Sequence, residues 1–190
     1  LYSNNRLVNS IDFVINLAGA NIGAKRWNLS RKNELLQSRI LTTQKIVSLF
    51  NGLGRKPHLI SASAVGIYPE DLINDEFTNI DYQHYANFSQ ELTKTWELAA
   101  HQYRGALTIT RFGVVFGSDG GAFPQILKPF LFYTGSILAN GLQYMPWIAL
   151  PDLLNAIDYV ISNQQIGVYN FVAPNMANNR QLATLIAKTW

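Results

Sequence analysis

Two hydroxyls follow one another closely in Ser61-Ala62-Ser63-Ala64-Val65-Gly66, directly after His58-Leu59-Ile60. A serine pair after a strand ordinarily caps a turn. The other use of such a pair is to present a hydroxyl to a ligand or to a reacting oxygen. No G-x-S-x-G frame surrounds Ser63, so the strained nucleophile of a hydrolase is not indicated. Arg111 lies inside the apolar run Leu107–Phe116, and an arginine so placed needs an anionic or hydrogen-bonded partner. Asn16-Leu17-Ala18-Gly19-Ala20 ends another apolar run with three small residues, which suit a tight turn or a close approach of backbone to a ligand. His58, His84 and His101 are too far apart for a metal-ligand pattern, and there is no cysteine. The acidic run Glu70, Asp71, Asp75, Glu76 and Asp81 lacks the spacing of a calcium loop and reads as a solvated segment.

These residues need elements to hold them. Ile11–Leu17 reads as a buried strand. Leu36, Ile40, Thr43, Val47 and Phe50 form one face of a long helix from Leu29, stopped by Asn51-Gly52. His58–Ser61 is a short strand. Leu92, Trp96, Ala99 and Tyr103 stripe a helix over Ser89–Tyr103, and Leu107–Phe116 is a second buried strand. A glycine-rich turn at 117–121 follows. Helices are expected over Phe123–Phe132, Asp152–Ile161 and Asn179–Lys188, with a strand at Val168–Val172. Alternating strands and helices imply an α/β fold whose parallel strands are joined by crossover helices. Ligands of such sheets sit beyond the carboxyl ends of the strands, which directs attention to 16–22, 61–68 and 111–118.

The 190 residues carry 48% hydrophobic and 14% charged side chains, enough apolar content for a packed core. No apolar run reaches the roughly 18 residues of a membrane helix, and no secretion signal is evident. The reading is a cytoplasmic protein with no membrane or nucleic-acid partner. The net charge of +3 comes from scattered cations, densest at Lys25, Arg26, Arg31 and Lys32, and suits a small phosphorylated ligand.

In order, D-x-V-I-N-L-A-G, S-A-S-A-V-G, a helix bearing Trp-Glu, and R-F-G-V-V-F-G-x-D-G-G-A resemble one branch of the extended short-chain dehydrogenase/reductases. That branch is the NAD(P)-dependent epimerase/dehydratase-like family, whose bacterial members often carry a sugar nucleotide epimerase or cell division inhibitor label. Further matches are Ser38-Arg39-Ile40 with Thr42-Thr43, Gln143–Ile148, Asp152-Leu153, and Asn170 with Ala173-Pro174-Asn175.

The resemblance implies a Rossmann-like doubly wound parallel sheet, with residues 1–190 one partial domain and substrate-side loops around 117–148 and 163–190. It implies NADP or NAD as cofactor, NADP favoured, and a small-molecule substrate such as a nucleotide sugar. A homodimer is compatible with it. Leu17, Ala18 and Gly19 would line the cofactor, as would Ser61 and Ala62, and Arg111, Gly113 and Val114 would lie by its nicotinamide end. Ser63 would match the catalytic serine or threonine. Gln143 and Trp147 would face the substrate, although Trp147 equally suits a core.

Three departures stand out. The family's opening strand and G-x-x-G-x-x-G loop have no counterpart, since Gly117, Gly120 and Gly121 follow a late strand, so the N-terminal βαβ is missing. The Tyr-x-x-x-Lys pair is also missing, with Phe88 and Leu92 read at its positions. Tyr68 and Tyr85 are possible replacements, but no cation is evident beside either in the sequence. Both an NAD(P)-dependent epimerase or oxidoreductase and a weakly catalytic redox-sensing or regulatory binder fit this pattern. W-I-H-x-D-D of the family reads Trp147–Asp152 without its histidine and one aspartate.

Overall fold

The computed structural model describes residue 8 and residues 10–70, 73–132, 134–135, 137 and 139–189. Asp71 of the acidic run, and residues 133, 136, 138 and 190 of the expected substrate-side loops, fall outside them.

The chain divides into two compact units. The first, up to Arg111 with Val160–Asn170, holds β1 (Phe13–Asn16), β2 (His58–Ala64), and most of β3 (Leu107–Phe112) and β7 (Gly167–Phe171), in the sheet order β1-β2-β3-β7. β1 and β2 run parallel, with Asn16 beside Ser61. Helices α1 (Leu29–Asn51) and α2 (Phe88–His101) pack on this sheet. Val47, Phe50, Leu59 and Tyr103 form one cluster of the core, flanked by Val14, Ile46 and Leu107. Each such side chain contributes about 1.5–3 kcal/mol by leaving water.

Both helices start on an asparagine cap. Asn28 accepts the Arg31 amide at 2.8 Å, and Asn87 accepts that of Gln90 at 3.0 Å. The Gln90 side chain reaches back to the Ala86 amide at 3.0 Å, which satisfies a further donor. Leu92, Trp96, Ala99 and Tyr103 are all buried, as their helical spacing predicts. In α1 the buried positions are Arg31, Leu35, Thr43, Val47 and Phe50, while Leu36 and Ile40 are only half-covered.

β1 corrects one expectation. It is shorter than Ile11–Leu17 and not fully buried, because it lies at the end of the strand order with β2 as its partner, and Ile15 and Leu17 are exposed. β2 is longer than expected, so Ser63 lies within the strand with Ser61 and not in a turn after it.

The second unit comprises Phe112–Tyr159 and Phe171–Trp190. The expected strand Leu107–Phe116 breaks at Gly113 into β3 and β4 (Val114–Phe116). Glycine lets the Pro146 backbone come close at the break, since a Cβ at Gly113 would lie 2.7 Å from the Pro146 carbonyl oxygen. The Gly113 amide donates to Phe171, the Val114 amide to Pro146, and β4 then pairs in parallel with β6 (Trp147–Ala149). Phe116 stacks on Trp147 at 5.5 Å and meets Phe123 of α3 (Ala122–Leu131) at 5.1 Å. A short antiparallel pair, β5 (Tyr144–Met145) with β8 (Ala177–Asn178), precedes the last helix, α5 (Asn179–Thr189). α4 spans Leu150–Ser162. The sequence pattern contained no periodic signal for β5 and β8, which are two residues each.

Among the described residues no helix is long and apolar enough to cross a membrane, and no three His, Asp or Glu residues are grouped to hold a metal.

Candidate functional site

At the carboxyl end of β2 the Ser63 hydroxyl donates to Glu97 Oε1 at 2.6 Å. Glu97, on α2, also receives Arg111 Nε on Oε1 and Arg111 Nη2 on Oε2, both at 2.9 Å. This two-pronged pair is the partner that an arginine in an apolar strand requires. Ser63 is 2% exposed, Arg111 2% and Glu97 1%. Arg111 Nη1 donates to the Tyr68 hydroxyl at 2.8 Å, and that hydroxyl donates to Asn170 Oδ1 at 2.8 Å. Tyr82 donates to Glu97 Oε2 at 2.7 Å. The network thus ties β2, β3, β7, α2 and the turn after β2 together at the ligand end of the sheet.

Its electrostatics follow from this geometry. Burial disfavours the Arg111 cation, but the Glu97 carboxylate more than offsets that and holds its pKa above the ordinary value. Burial and the adjacent Glu97 charge both push the Tyr82 phenol upward, so Tyr82 stays protonated and donates.

The Ser63 proton is directed at Glu97, so the hydroxyl can accept a hydrogen bond from a ligand but has no second proton to give. Ser61, wholly buried beside it in the strand, has a hydroxyl with no partner. Ala62 is buried on the opposite face of β2.

Positions 89, 93 and 97 share one face of α2, and Glu97 fixes that face toward Ser63. A Cβ on Gly66 would lie 2.4 Å from Ser89 Oγ, which sets Ser89 against the turn after β2. Phe88 instead packs edge-on to Trp27 at 5.2 Å, and Leu92 is buried in the core. The helix face nearest the strand end therefore carries Ser89 and Thr93, neither of which supplies a phenol or an ammonium. The two candidate tyrosines do have cations nearby: Arg111 at Tyr68, and Lys94 over the Tyr85 ring at 5.8 Å. Lys94 is committed to the His84 carbonyl at 2.7 Å.

Beyond β1, Ala18 donates to Asn16 Oδ1 at 3.2 Å and Ala20 to Ser38 Oγ at 3.0 Å, so α1 holds the small-residue loop in place. Leu17 is exposed. A Cβ at Gly19 would sit 2.7 Å from Arg39 Cζ, so only glycine lets the guanidinium lie against the loop backbone. A glycine backbone with a guanidinium against it is chemistry that fits a phosphate-bearing cofactor.

In the second unit Val114 lies beside Trp147 across the β4–β6 pair. Trp147 is partly buried on Phe116, and exposed Gln143 accepts the Asn179 amide at 3.0 Å. Among the sequence-derived site residues, the first unit joins Ser63 and Arg111 through Glu97, and the second joins Gly113, Val114 and Trp147. Glu97, Tyr82 and Asn170 complete the first cluster. A charged residue in the apolar stripe of α2, beside Trp96, was the available signal for Glu97. The acidic run proves structural where described, with Glu76 accepting the Asn170 amide at 2.7 Å and Asp81 pairing with His84 at 2.7 Å.

A family model, the NAD dependent epimerase/dehydratase family, matches residues 3–171. The chain belongs to that family. This epimerase-family chain is 38% identical to an epimerase family protein of Staphylococcus saprophyticus over 183 residues, which is 94% of its own length and 61% of the relative's. Among solved structures it is similar to a human epimerase family protein with NADPH, at 32% identity and a TM-score of 0.84, covering 92% of this chain and 61% of that one. It is also similar to a UDP-glucuronic acid 4-epimerase of Bacillus cereus in complex with NAD, at 16% identity and a TM-score of 0.80, over 96% and 61% of the two chains. That second likeness shows the fold, a Rossmann-like α/β arrangement. The chain spans 61% of the length of the first of these relatives, or less for others.

Proposed function

We propose that this chain forms the dinucleotide-binding part of an epimerase/dehydratase-like oxidoreductase acting on a nucleotide sugar or similar small molecule. The observation that carries the reading is the loop Ala18–Ala20 at the carboxyl end of β1, narrowed to backbone by Gly19 and braced by Ser38 and Arg39. The cofactor, NADP in preference to NAD, supplies hydride transfer when bound. Leu17, Ala18 and Gly19 would hold it, with Ser61 and Ala62 beneath and Arg111, Gly113 and Val114 toward its nicotinamide end. The relative solved with NADPH supports the preference. Gln143 and Trp147 would face the substrate, and 117–148 and 163–190 would shape its side of a single domain.

Within this reading Glu97 and Arg111 are positioning residues. They fix the Ser63 oxygen as an acceptor at the end of β2, where it would orient a ligand hydroxyl. Calorimetric titration of NADPH, NADH and their oxidised forms into the intact protein tests the cofactor. Micromolar binding of one reduced form is expected, and no binding of any form refutes the reading.

The commitment of the Ser63 proton to Glu97 favours a second reading, a cofactor-binding regulatory or redox-sensing protein with little catalysis. Turnover of a carbonyl or nucleotide-sugar substrate that disappears in Ser63→Ala, with dinucleotide affinity kept, would decide against it.

A further inference from the structure

The amino ends of the strands carry chemistry that the site at their carboxyl ends does not use. A cleft of about 460 Å³ opens there, wholly within the first unit. Its volume falls in the range of small-molecule sites, roughly 300–1,000 Å³. Phe13 and His58, the first residues of β1 and β2, form part of its wall, and Ile166 joins them from just before β7. Arg55 and Lys56 line it from the turn that leads into β2. His58 and Ser63 are separated by about 16 Å of extended strand, so the cleft is distinct from the candidate site.

His58 is 7% exposed, yet only one of its ring nitrogens is satisfied. Thr108 gives its own proton to the Gln165 carbonyl, so the Thr108 oxygen accepts from His58 Nε2 at 2.7 Å. That bond fixes the tautomer and leaves Nδ1 a bare acceptor, with no hydrogen-bond partner among the described residues. His58 contributes no sealed, unpartnered atom, so Nδ1 is open to the cleft that the ring lines. Burial holds the pKa of the ring below its ordinary value, which keeps Nδ1 bare at neutral pH.

The rest of the lining defines what would meet that nitrogen. Arg55 pairs with Asp12, so Lys56 leaves the cleft with one positive charge in excess. Lys56 Nζ donates to the Leu53 carbonyl at 3.2 Å, and an ammonium has further donors to give. Two cations beside the imidazole repel a metal ion, the other common partner of a bare ring nitrogen. The Phe13 ring lies against His58 at 5.4 Å between centroids, and Ile166 is 62% exposed. An apolar wall therefore adjoins a lone acceptor and a surplus cation. The complementary molecule has one negative charge, one O–H donor and an apolar body.

We propose that this cleft is a second ligand site, which takes a monocarboxylate whose apolar body carries a hydroxyl. The carboxylate pairs with Lys56, the hydroxyl donates to His58 Nδ1, and the body lies along Phe13 and Ile166. None of these residues takes part in the dinucleotide-binding reading above, so the site stands or falls separately from it.

The probes are 4-hydroxyphenylacetate, which has all three features, and phenylacetate, which lacks the hydroxyl. In calorimetric titration of the intact protein the hydroxylated acid should bind about tenfold more tightly, as one hydrogen bond to a buried acceptor implies. Lys56→Gln, at a half-buried position outside the core, should weaken both acids about tenfold by removing the charge-assisted contact. The nitrogen resonance of His58 Nδ1 in the parent protein should move with the hydroxylated acid and stay in place with phenylacetate. Equal affinity for the two acids, or an unmoved Nδ1 resonance, removes His58 from the site and overturns the proposal. Binding that Lys56→Gln leaves unchanged, or that NADPH competitively displaces, overturns it too, because the acid then sits elsewhere. No binding of either acid at millimolar concentration has the same meaning. Should Lys56→Gln fail to fold, the two acids and the His58 resonance of the parent decide alone.

Discussion

Glu97 and Arg111 each give up several kcal/mol of hydration to lie where they do, and their mutual contact returns most of it, with help from Ser63 and Tyr82 on Glu97 and Tyr68 on Arg111. Removing one partner is therefore far worse than removing both. Glu97→Ala should destabilise the fold by about 3–5 kcal/mol, while Glu97→Leu combined with Arg111→Met should recover most of that, as urea unfolding of the three proteins will show. A loss in the double variant larger than in Glu97→Ala would mean that a stranded Arg111 charge is not what the single variant suffers from. His58 belongs to the same scale. Thr108 donates to the Gln165 carbonyl, so its oxygen is free to accept the His58 Nε2 proton at 2.7 Å. Burial lowers the His58 pKa below 6.5, so the unfolded chain binds the extra proton more readily. Stability should be level above that pH and fall as the solution is acidified below it. Thermal midpoints between about pH 7.5 and 5.5 will show the decline, and His58→Gln should flatten it. At this scale the sequence was half-legible. Arg111 announced a need for an anion, but which acid met it depended on the packing of α2 against β3, which no local spacing encodes.

Elements were read well where they repeat and poorly where they stop. α1 and α2 carry helical stripes over several turns, so their buried faces are visible in Thr43, Val47 and Phe50 and in Leu92, Trp96 and Ala99. The ends of strands carry no such signal. Ser63 looks like a turn residue by type, but β2 runs on through it to Ala64. The apolar run Leu107–Phe116 looks continuous because side-chain type does not report which strand lies alongside, and Gly113 is where the neighbour changes. A substitution contrast follows. Gly113→Ala drives a methyl into the Pro146 backbone and should cost about 1–3 kcal/mol. Gly66→Ala meets only the rotatable Ser89 hydroxyl and should cost markedly less. Chemical denaturation of both variants measures the difference, and equal costs would mean that the close approach of Pro146 does not require a glycine at 113.

For the molecule as a whole, order of motifs carried the family where single motifs did not. Each short stretch at 16–20, 61–66 or 111–117 is compatible with many proteins, whereas their succession along 190 residues constrains one sheet with its ligand loops. What succession cannot convey is which small molecule is bound, since that depends on side chains gathered from distant loops. A ligand that prefers the folded state shifts its stability by mass action. If the dinucleotide reading holds, NADPH at about 100 times its dissociation constant should stabilise the fold by about 2.7 kcal/mol, read as an upward shift in thermal midpoint. No shift with any dinucleotide would remove the reading at its base.

The Glu97–Arg111 contact also has a history written into it. Natural domains hold only about 5–15 kcal/mol in reserve, and a single replacement at either position consumes a large share. A lineage that changes one residue first must survive with a stranded charge before the other can follow, so most will not cross. Among descendants of a common ancestor the two positions should change together or stay as they are, and the strand end they secure should drift more slowly than the exposed loops around it.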